Sequence, residues 1–396
     1  MSPLEAGRML DDILLDDPAA LQRADREHAL LALAGAGARI RTAVRLAEEA
    51  GLSALRPEGR PRTVLVAGHG SALTAADVLA ALAVTACQVL PLAPSDVRRD
   101  EPSSFSSGLR WQLPGWIGPL DLLVISSSTG REQGLVQLAQ QAYARGCAIG
   151  VVAPSGSALA EAALQVRGLA LPFAESAVEP DDVPGGEPDL PAEDPAALWA
   201  HLAPLAALAD RVGAVQLPSG SLQALADRLD EVAVRCRPDA AAYLNPAKGL
   251  AAQLSGTVPL VWAEGPVAAA AAGRFAAMLA DRGGLPALTG RLPQALTAHR
   301  GMFVGHLGGG ADPDDFFRDR VDEPEPLQLQ AVLLRHTPGL PADADPGFAV
   351  GRARRLAAAH EVRLTEFTST LDDPLEALAE LAGPADFAAV YLGLAR

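Results

Sequence analysis

Thr63-Val64-Leu65-Val66-Ala67-Gly68-His69-Gly70-Ser71 and Asp121-Leu122-Leu123-Val124-Ile125-Ser126-Ser127-Ser128-Thr129-Gly130 are built alike. Each is an apolar run of strand length that opens into a small, hydroxyl-rich turn and is followed by a helical pattern. That arrangement is how an open parallel sheet offers ligand-binding loops at the carboxyl ends of its strands. Both turns are therefore expected on one edge of one sheet. Their small residues let backbone N–H groups and hydroxyls approach an anion, and the helix N-termini behind them carry about half a positive charge each. The pair predicts a phosphate cradle. The competing reading is two ordinary strand-to-helix turns with a serine cap, although four consecutive hydroxyl residues are more than one cap requires. Gly68-x-Gly70 is half of a dinucleotide fingerprint with no third glycine, and there is no Gly-Lys-Ser/Thr of a nucleotide-binding loop.

Outward from these strands, the alternation of strands and helices persists. Strands are expected at 88–92, 147–152 and 166–171, with helices at 72–85, 132–145 and 157–164. This pattern predicts a doubly wound parallel sheet. Before it, residues 1–55 read as helices, with Asp17-Pro18 as a helix start. After it, 174–195 is acidic and rich in Pro and Gly, including Asp181, Asp182, Glu187, Asp189, Glu193 and Asp194. This segment reads as a linker. Helices at 195–212 and 221–235 lead into a second strand–helix series: strands at 258–262, 302–304, 327–334 and 362–367, helices at 266–282, 348–360 and from 374 onward. The expected domains are 56–173 and 196–396, a duplicated α/β build with no residue-level repeat.

Composition narrows the function classes. With 396 residues and 49% apolar content, the chain can bury two medium cores. A net charge of -16 without a basic cluster argues against nucleic acid and anionic membranes as partners. Cys87, Cys147 and Cys236 show no metal spacing. No basic leader precedes an apolar run, and no run reaches the ~18 residues of a membrane span, so a cytoplasmic location is expected.

The residues resemble the sugar isomerase (SIS) proteins, and among them the bifunctional phosphoglucose/phosphomannose isomerases. Gly68-His69-Gly70-Ser71 is similar to that family's Gly-Gly-Ser turn, and Ser126-Ser127-Ser128 to the start of its Ser-Tyr-Ser-Gly-Asn-Thr-Glu-Glu loop. Asn245-Pro246-Ala247-Lys248 with Val258-Pro259-Leu260-Val261 matches its Asn-Pro-Ala-Lys segment and following strand. Arg274 through Pro286-Ala287 aligns without a gap to Arg-x-Lys-x-x-Leu-Asn-Glu-Asn-x-Lys-x-Pro-Ala. Asp386-Phe387-Ala388-Ala389-Val390-Tyr391-Leu392 resembles Asp-Tyr-x-Ser-x-Tyr-Leu. The resemblance implies two tandem SIS domains with flavodoxin-like sheets, no metal or other cofactor, a homodimer, and interconversion of aldose and ketose hexose 6-phosphates in carbohydrate metabolism.

Departures fall on the chemistry. Isomerisation through a cis-enediol needs a group for ring opening, a carboxylate that moves a proton between C1 and C2, and a polar group supporting the enediol oxygens. The family's glutamate base falls on Asp281, one methylene shorter, and a misplacement of about 1 Å can cost on the order of 100-fold. Its histidine falls on Thr297, with His299 two residues on, and Arg274 is the electrostatic support. The family's segment beyond Tyr-Leu has no counterpart before Arg396. In the phosphate loop, Thr129-Gly130-Arg131-Glu132 replaces Gly-Asn-Thr-Glu, so Arg131 either binds the anion as a fork or faces solvent. Ser71, Ser126 and Ser128 remain, and His69, between Gly68 and Gly70, is the histidine expected to face ligand. His201, His306, His336 and His360 are scattered, and Asp312, Asp314 and Asp315 read as a solvated turn. Two classes stay open: a cofactor-independent isomerase, and a phosphosugar-binding protein with impaired catalysis.

Overall fold

The structure, a computed structural model, describes residues 10–57, 59–83, 86–97, 105–178, 192–304, 328–341 and 347–396. The chain divides into two compact units, one of residues 26–231 and the other of 1–25 with 232–396. Each is organised on a parallel sheet.

In the first unit, β1 (Thr63–Ala67), β2 (Gln88–Leu92), β3 (Leu122–Ser126), β4 (Ala148–Ala153) and β5 (Leu169–Pro172) lie in the order β2-β1-β3-β4-β5. Every residue of β1 and β3 is buried, as the near-continuous apolar runs require of strands covered on both faces. Pro91, which cannot donate to a ladder, sits on edge strand β2. The helices are α1 (Ala36–Glu49), α2 (Ser71–Leu82), α3 (Gln133–Ala144) and α4 (Ala197–Arg211). Leu65, Leu123 and Ile125 pack with Leu135, Leu138 and Trp111 in one core cluster. On the other side α4 packs against α1, α2 and β4.

The second unit's strands are β6 (Thr257–Glu264), β7 (Leu288–Arg291), β8 (Gln328–His336) and β9 (Arg363–Ser369), ordered β9-β8-β6-β7. Leu260, Trp262, Phe303, Leu333 and Val350 form its core on one face. Its helices include α5 (Pro246–Leu254), α6 (Pro266–Asp281) and α7 (Pro374–Leu394), and α7 packs against both α5 and α6.

Several expectations shift. Residues 302–304 are not a strand: Arg300–Val304 is a short helix. The Met302 N–H donates to the His299 carbonyl at 3.0 Å, continuing the preceding helical turn, and Phe303 is buried against Trp262. The sheet edge is taken instead by β7, paired with β6. The compact units also divide the chain at other points than the expected boundaries. Residues 197–231 cluster with the first sheet because the apolar surface of α4 covers that sheet's helices, and residues 1–25 cluster with the second. Asp17 caps the helix Pro18–Ala24, with Pro18 in its first turn, as the sequence pattern requires. Contrary to the reading of apolar run lengths, α7 is long and apolar enough to cross a bilayer by composition, yet 83% of its apolar window is buried within the fold. It is a core helix carrying the buried Asp386. Most of the acidic 174–195 segment, Asp312, Asp314, Asp315 and His306 lie outside the described residues.

Candidate functional site

The register of β1 on β3 sets Ala67 opposite Ile125, so the chain leaves the sheet at Gly68 and Ser126 side by side. This is also where strand order reverses, with β2 on one side of β1 and β3 on the other. Ligands of doubly wound sheets bind at such a switch point, where loops diverge and open a crevice. The two turns lie in contact. A Cβ on Gly68 would stand 2.7 Å from the Ser126 carbonyl oxygen, so only glycine allows this approach. Trp111 Nε1 donates to the Gly68 carbonyl at 3.3 Å and pins the first turn.

Between the turns lies a charged pair. His69 Nε2 is 3.0 Å from Glu132 Oε1. Glu132 is fully buried and also accepts from the Ser127 hydroxyl at 2.7 Å and the Thr129 hydroxyl at 2.8 Å. Burial pushes its carboxyl up, but hydrogen bonds from His69, Ser127, its own backbone N–H and Thr129 outweigh that, leaving it at about 2. Burial likewise lowers His69, and the bond and charge of Glu132 with the charge of Glu193 raise it further than burial takes away. Glu132 thus favours the protonated form of His69 over what burial alone would allow. His69 is about one-third exposed, and its Nδ1 is not engaged among the described residues.

The hydroxyls expected to form the cradle have separate fates. Ser126 is fully buried, and its Oγ lies 2.7 Å from His201 Nδ1. Burial, with the positive charges of Arg39 and His69, holds His201 down at about 3, so it is neutral. Ser127 Oγ accepts from the N–H groups of Thr129 and Gly130 at 3.1 and 2.7 Å, closing the second turn. Ser71, the first residue of α2, directs its N–H at both carboxylate oxygens of Glu193, at 3.0 and 2.9 Å, and its hydroxyl donates to Oε2 at 2.8 Å. Gly70 has φ +56°, and a Cβ there would meet the Glu193 oxygens at 2.7 and 2.8 Å. Ser128 is half-buried, and its side chain has no hydrogen-bond partner among the described residues. The Arg131 side chain is exposed and unpaired among them.

The residues matched to isomerase chemistry lie in the second unit. Arg274 is buried and its Nε donates to Asp386 Oδ1 at 3.1 Å, joining α6 to α7. Burial pushes Asp386 up to about 6, against the charge and hydrogen bond of Arg274. His299 is buried and its Nδ1 accepts from Trp262 Nε1 at 3.0 Å; burial lowers its pKa. Thr297 is exposed. Asp281, the last residue of α6, has a side chain 46% exposed, with Oδ2 3.0 Å from Arg282 Nε.

The family-like segments of this unit meet one another. Asn245 caps α5 by accepting from the N–H groups of Ala247 and Lys248. Lys248 is buried, with Nζ donating to the carbonyls of Pro238 and Ala240 at 2.7 and 2.8 Å while lying over the Tyr391 ring. The Tyr391 hydroxyl donates to the Cys236 carbonyl at 2.6 Å. These matched residues make contacts that hold the fold.

Three participants were not legible as such in the sequence. Glu132 had a signal, standing within one turn of the hydroxyl run. His201 sits in an apolar helix, and Glu193 in a stretch that reads as linker. Two further histidines are committed elsewhere: His336 Nε2 to the Leu371 carbonyl at 3.0 Å, and His360 edge-on to Phe303.

Comparison with known proteins agrees with this fold. Residues 244–396 match the model of the bacterial phospho-glucose isomerase C-terminal SIS domain. No curated protein matches the chain in sequence. Among solved structures, tagatose-6-phosphate ketose/aldose isomerase from Escherichia coli superposes over 95% of this chain and 92% of its own, with a TM-score of 0.53 at 13% identity. The C-terminal domain of glucosamine-fructose-6-phosphate aminotransferase from Francisella tularensis covers 94% and 95%, at 0.51 and 11%. A hypothetical protein from Thermus thermophilus covers 96% and 89%, at 0.57 and 12%. Residues 244–396 are thus similar to a bacterial phospho-glucose isomerase C-terminal SIS domain, and the chain as a whole shares its fold of two α/β units with these solved structures.

Proposed function

We propose that this protein binds a phosphorylated hexose at the β1 and β3 turns of its first sheet, without efficient aldose-ketose isomerisation. The observation that carries the reading is the pairing of Gly68-His69-Gly70-Ser71 with Ser126 to Thr129 at the switch point. There the N–H and hydroxyl of Ser71, the half-buried Ser128 hydroxyl and the His69 ring supply donors for a phosphate, and exposed Arg131 can reach it as a fork. Ser126 and Thr129 support the turn from behind through His201 and Glu132. Against efficient turnover stand the commitments of Arg274 to Asp386 and of His299 to Trp262, and the short side chain of Asp281. We also assign a C2 homodimer, in which such sites pair across the two-fold axis.

Glucose 6-phosphate, mannose 6-phosphate and fructose 6-phosphate should each raise Tm, and Ser128→Ala should reduce that shift with the free protein unchanged. A ligand at 100 times its Kd stabilises by about 2.7 kcal/mol, well within detection. In deuterated water, exchange at C2 should be near background. Substantial exchange abolished by Asp281→Asn would instead make this a working isomerase with Asp281 as base, and Asp281→Glu should then raise turnover. Light scattering at micromolar concentration should give twice the chain mass.

A further inference from the structure

The donors of the first turn are already taken by an anion that the chain itself provides. Glu193 receives both the N–H and the hydroxyl of Ser71, and its carboxylate fills the space against Gly70. We propose that Glu193 is a built-in competitor for the ligand's phosphate, holding the Ser71 donors in the free protein and yielding them when an anion binds. The inference rests on the phosphosugar reading of this cradle and adds its regulation.

Three observations support it. A carboxylate and a phosphate want the same thing from a helix N-terminus, namely N–H groups that have no acceptor within the helix and a favourable dipole. Ser71 N–H is of this kind, and Gly70 supplies no side-chain cap for it. Charge makes the two occupants mutually exclusive. A phosphate seated on the Ser71 donors would stand against the Glu193 carboxylate, like charge at hydrogen-bond distance, with the Glu132 carboxylate already engaged by His69. With Glu193 withdrawn, His69 and Glu132 compensate each other and the α2 terminus is open to the ligand. The exchange also needs little backbone motion. Asp194 pairs with Arg39, and its side chain accepts from the Ala196 N–H at 2.9 Å at the head of α4, anchoring the chain next to Glu193. Withdrawal of the Glu193 carboxylate removes the acceptor that now holds the Ser71 N–H and hydroxyl.

The full-length wild type, Glu193→Gln and Glu193→Ala are titrated calorimetrically with inorganic phosphate and with glucose 6-phosphate at constant ionic strength. Glu161→Gln, on an exposed helix position, controls for the change in net charge. Both Glu193 variants should bind phosphate at least tenfold more tightly than wild type, while Glu161→Gln binds as wild type does. Binding that is unchanged or weaker in both Glu193 variants overturns the proposal, as does an equal gain in Glu161→Gln. Should Glu193→Ala unfold, Glu193→Gln, which keeps the shape and an acceptor oxygen, carries the test. Tighter phosphate binding without preference for glucose 6-phosphate leaves the competitor standing and removes the sugar reading. Wild-type binding of glucose 6-phosphate that neither variant improves does the reverse, and no binding of either anion by any form removes both.

Discussion

The two sheets reverse their strand order in the same way, yet their switch points are chemically opposite. In the first, β1 and β3 end in Gly and Ser, α2 begins with the Ser71 N–H and hydroxyl turned on a carboxylate, and hydroxyls surround a carboxylate–imidazolium pair. In the second, β6 ends in Glu264, which Arg335 of β8 neutralises across the ladder at 2.6 Å, and α6 begins with Pro266, which has no N–H to give. Buried charged groups of the second unit go into packing: Arg274 with Asp386 between helices, Lys248 onto backbone carbonyls. Topology offers two crevices, and loop composition sets N–H and hydroxyl donors against a carboxylate at one of them.

The sharpest way to break this contrast is Arg274→Met. If Arg274 serves packing, the change strands the buried Asp386 and should cost about 3–5 kcal/mol in denaturant unfolding, largely recovered by adding Asp386→Leu. A variant that stays stable and loses only turnover of hexose 6-phosphate would move Arg274 into the chemistry.

Acid should separate the two units next. His201 sits at about 3 when folded and about 6.5 when unfolded. Between those values the unfolded chain binds the extra proton, and stability falls with pH. Glu132, at about 2 when folded, adds the same sign below its unfolded value of 4.5. By pH 4.5 the first unit should have lost on the order of 3 kcal/mol through His201. The raised His69 acts in the other direction: its contribution is complete below 6.5 and is lost as pH rises through its folded value. In the second unit Asp386, at about 6 against an unfolded 3.8, binds its proton more tightly when folded and offsets the lowered His299. Hydrogen exchange, corrected for intrinsic rates, should show β1 and β3 amides losing protection between pH 6.5 and 4.5 well before those of β6 and β8. Equal loss in both sheets would erase the distinction.

The smallest effects sharpen it through glycines. Gly68→Ala forces a Cβ into the Ser126 carbonyl and the Ala72 side chain and should cost about 1–3 kcal/mol. Gly273→Ala, at an exposed position inside α6 with open space around it, should stabilise by about 0.5–1 kcal/mol. Thermal unfolding of the two variants reads both. A neutral Gly68→Ala would mean that the first turn has room to move.

How much was legible follows from how local each signal is. Strand and helix patterns, Asp17-Pro18 as a helix start, and the two Gly/Ser turns are written in consecutive residues, because hydrogen bonding within a turn and burial on both faces of a parallel strand depend on neighbours in sequence. The same short-range signals predict paired turns at one sheet edge, and the register of Ala67 with Ile125 realises it. What only the tertiary structure decided is which side chains hydrogen-bond to each other. Glu193 reaches Ser71 across 122 residues, His201 reaches Ser126 across 75, and Arg274 reaches Asp386 across 112. The displaced edge strand has a related cause: 302–304 has strand-forming residues, but three residues cannot outweigh a helical turn that buries Phe303 on Trp262. A residue type announces what chemistry it is capable of, whereas burial and a distant partner determine whether that chemistry is already committed.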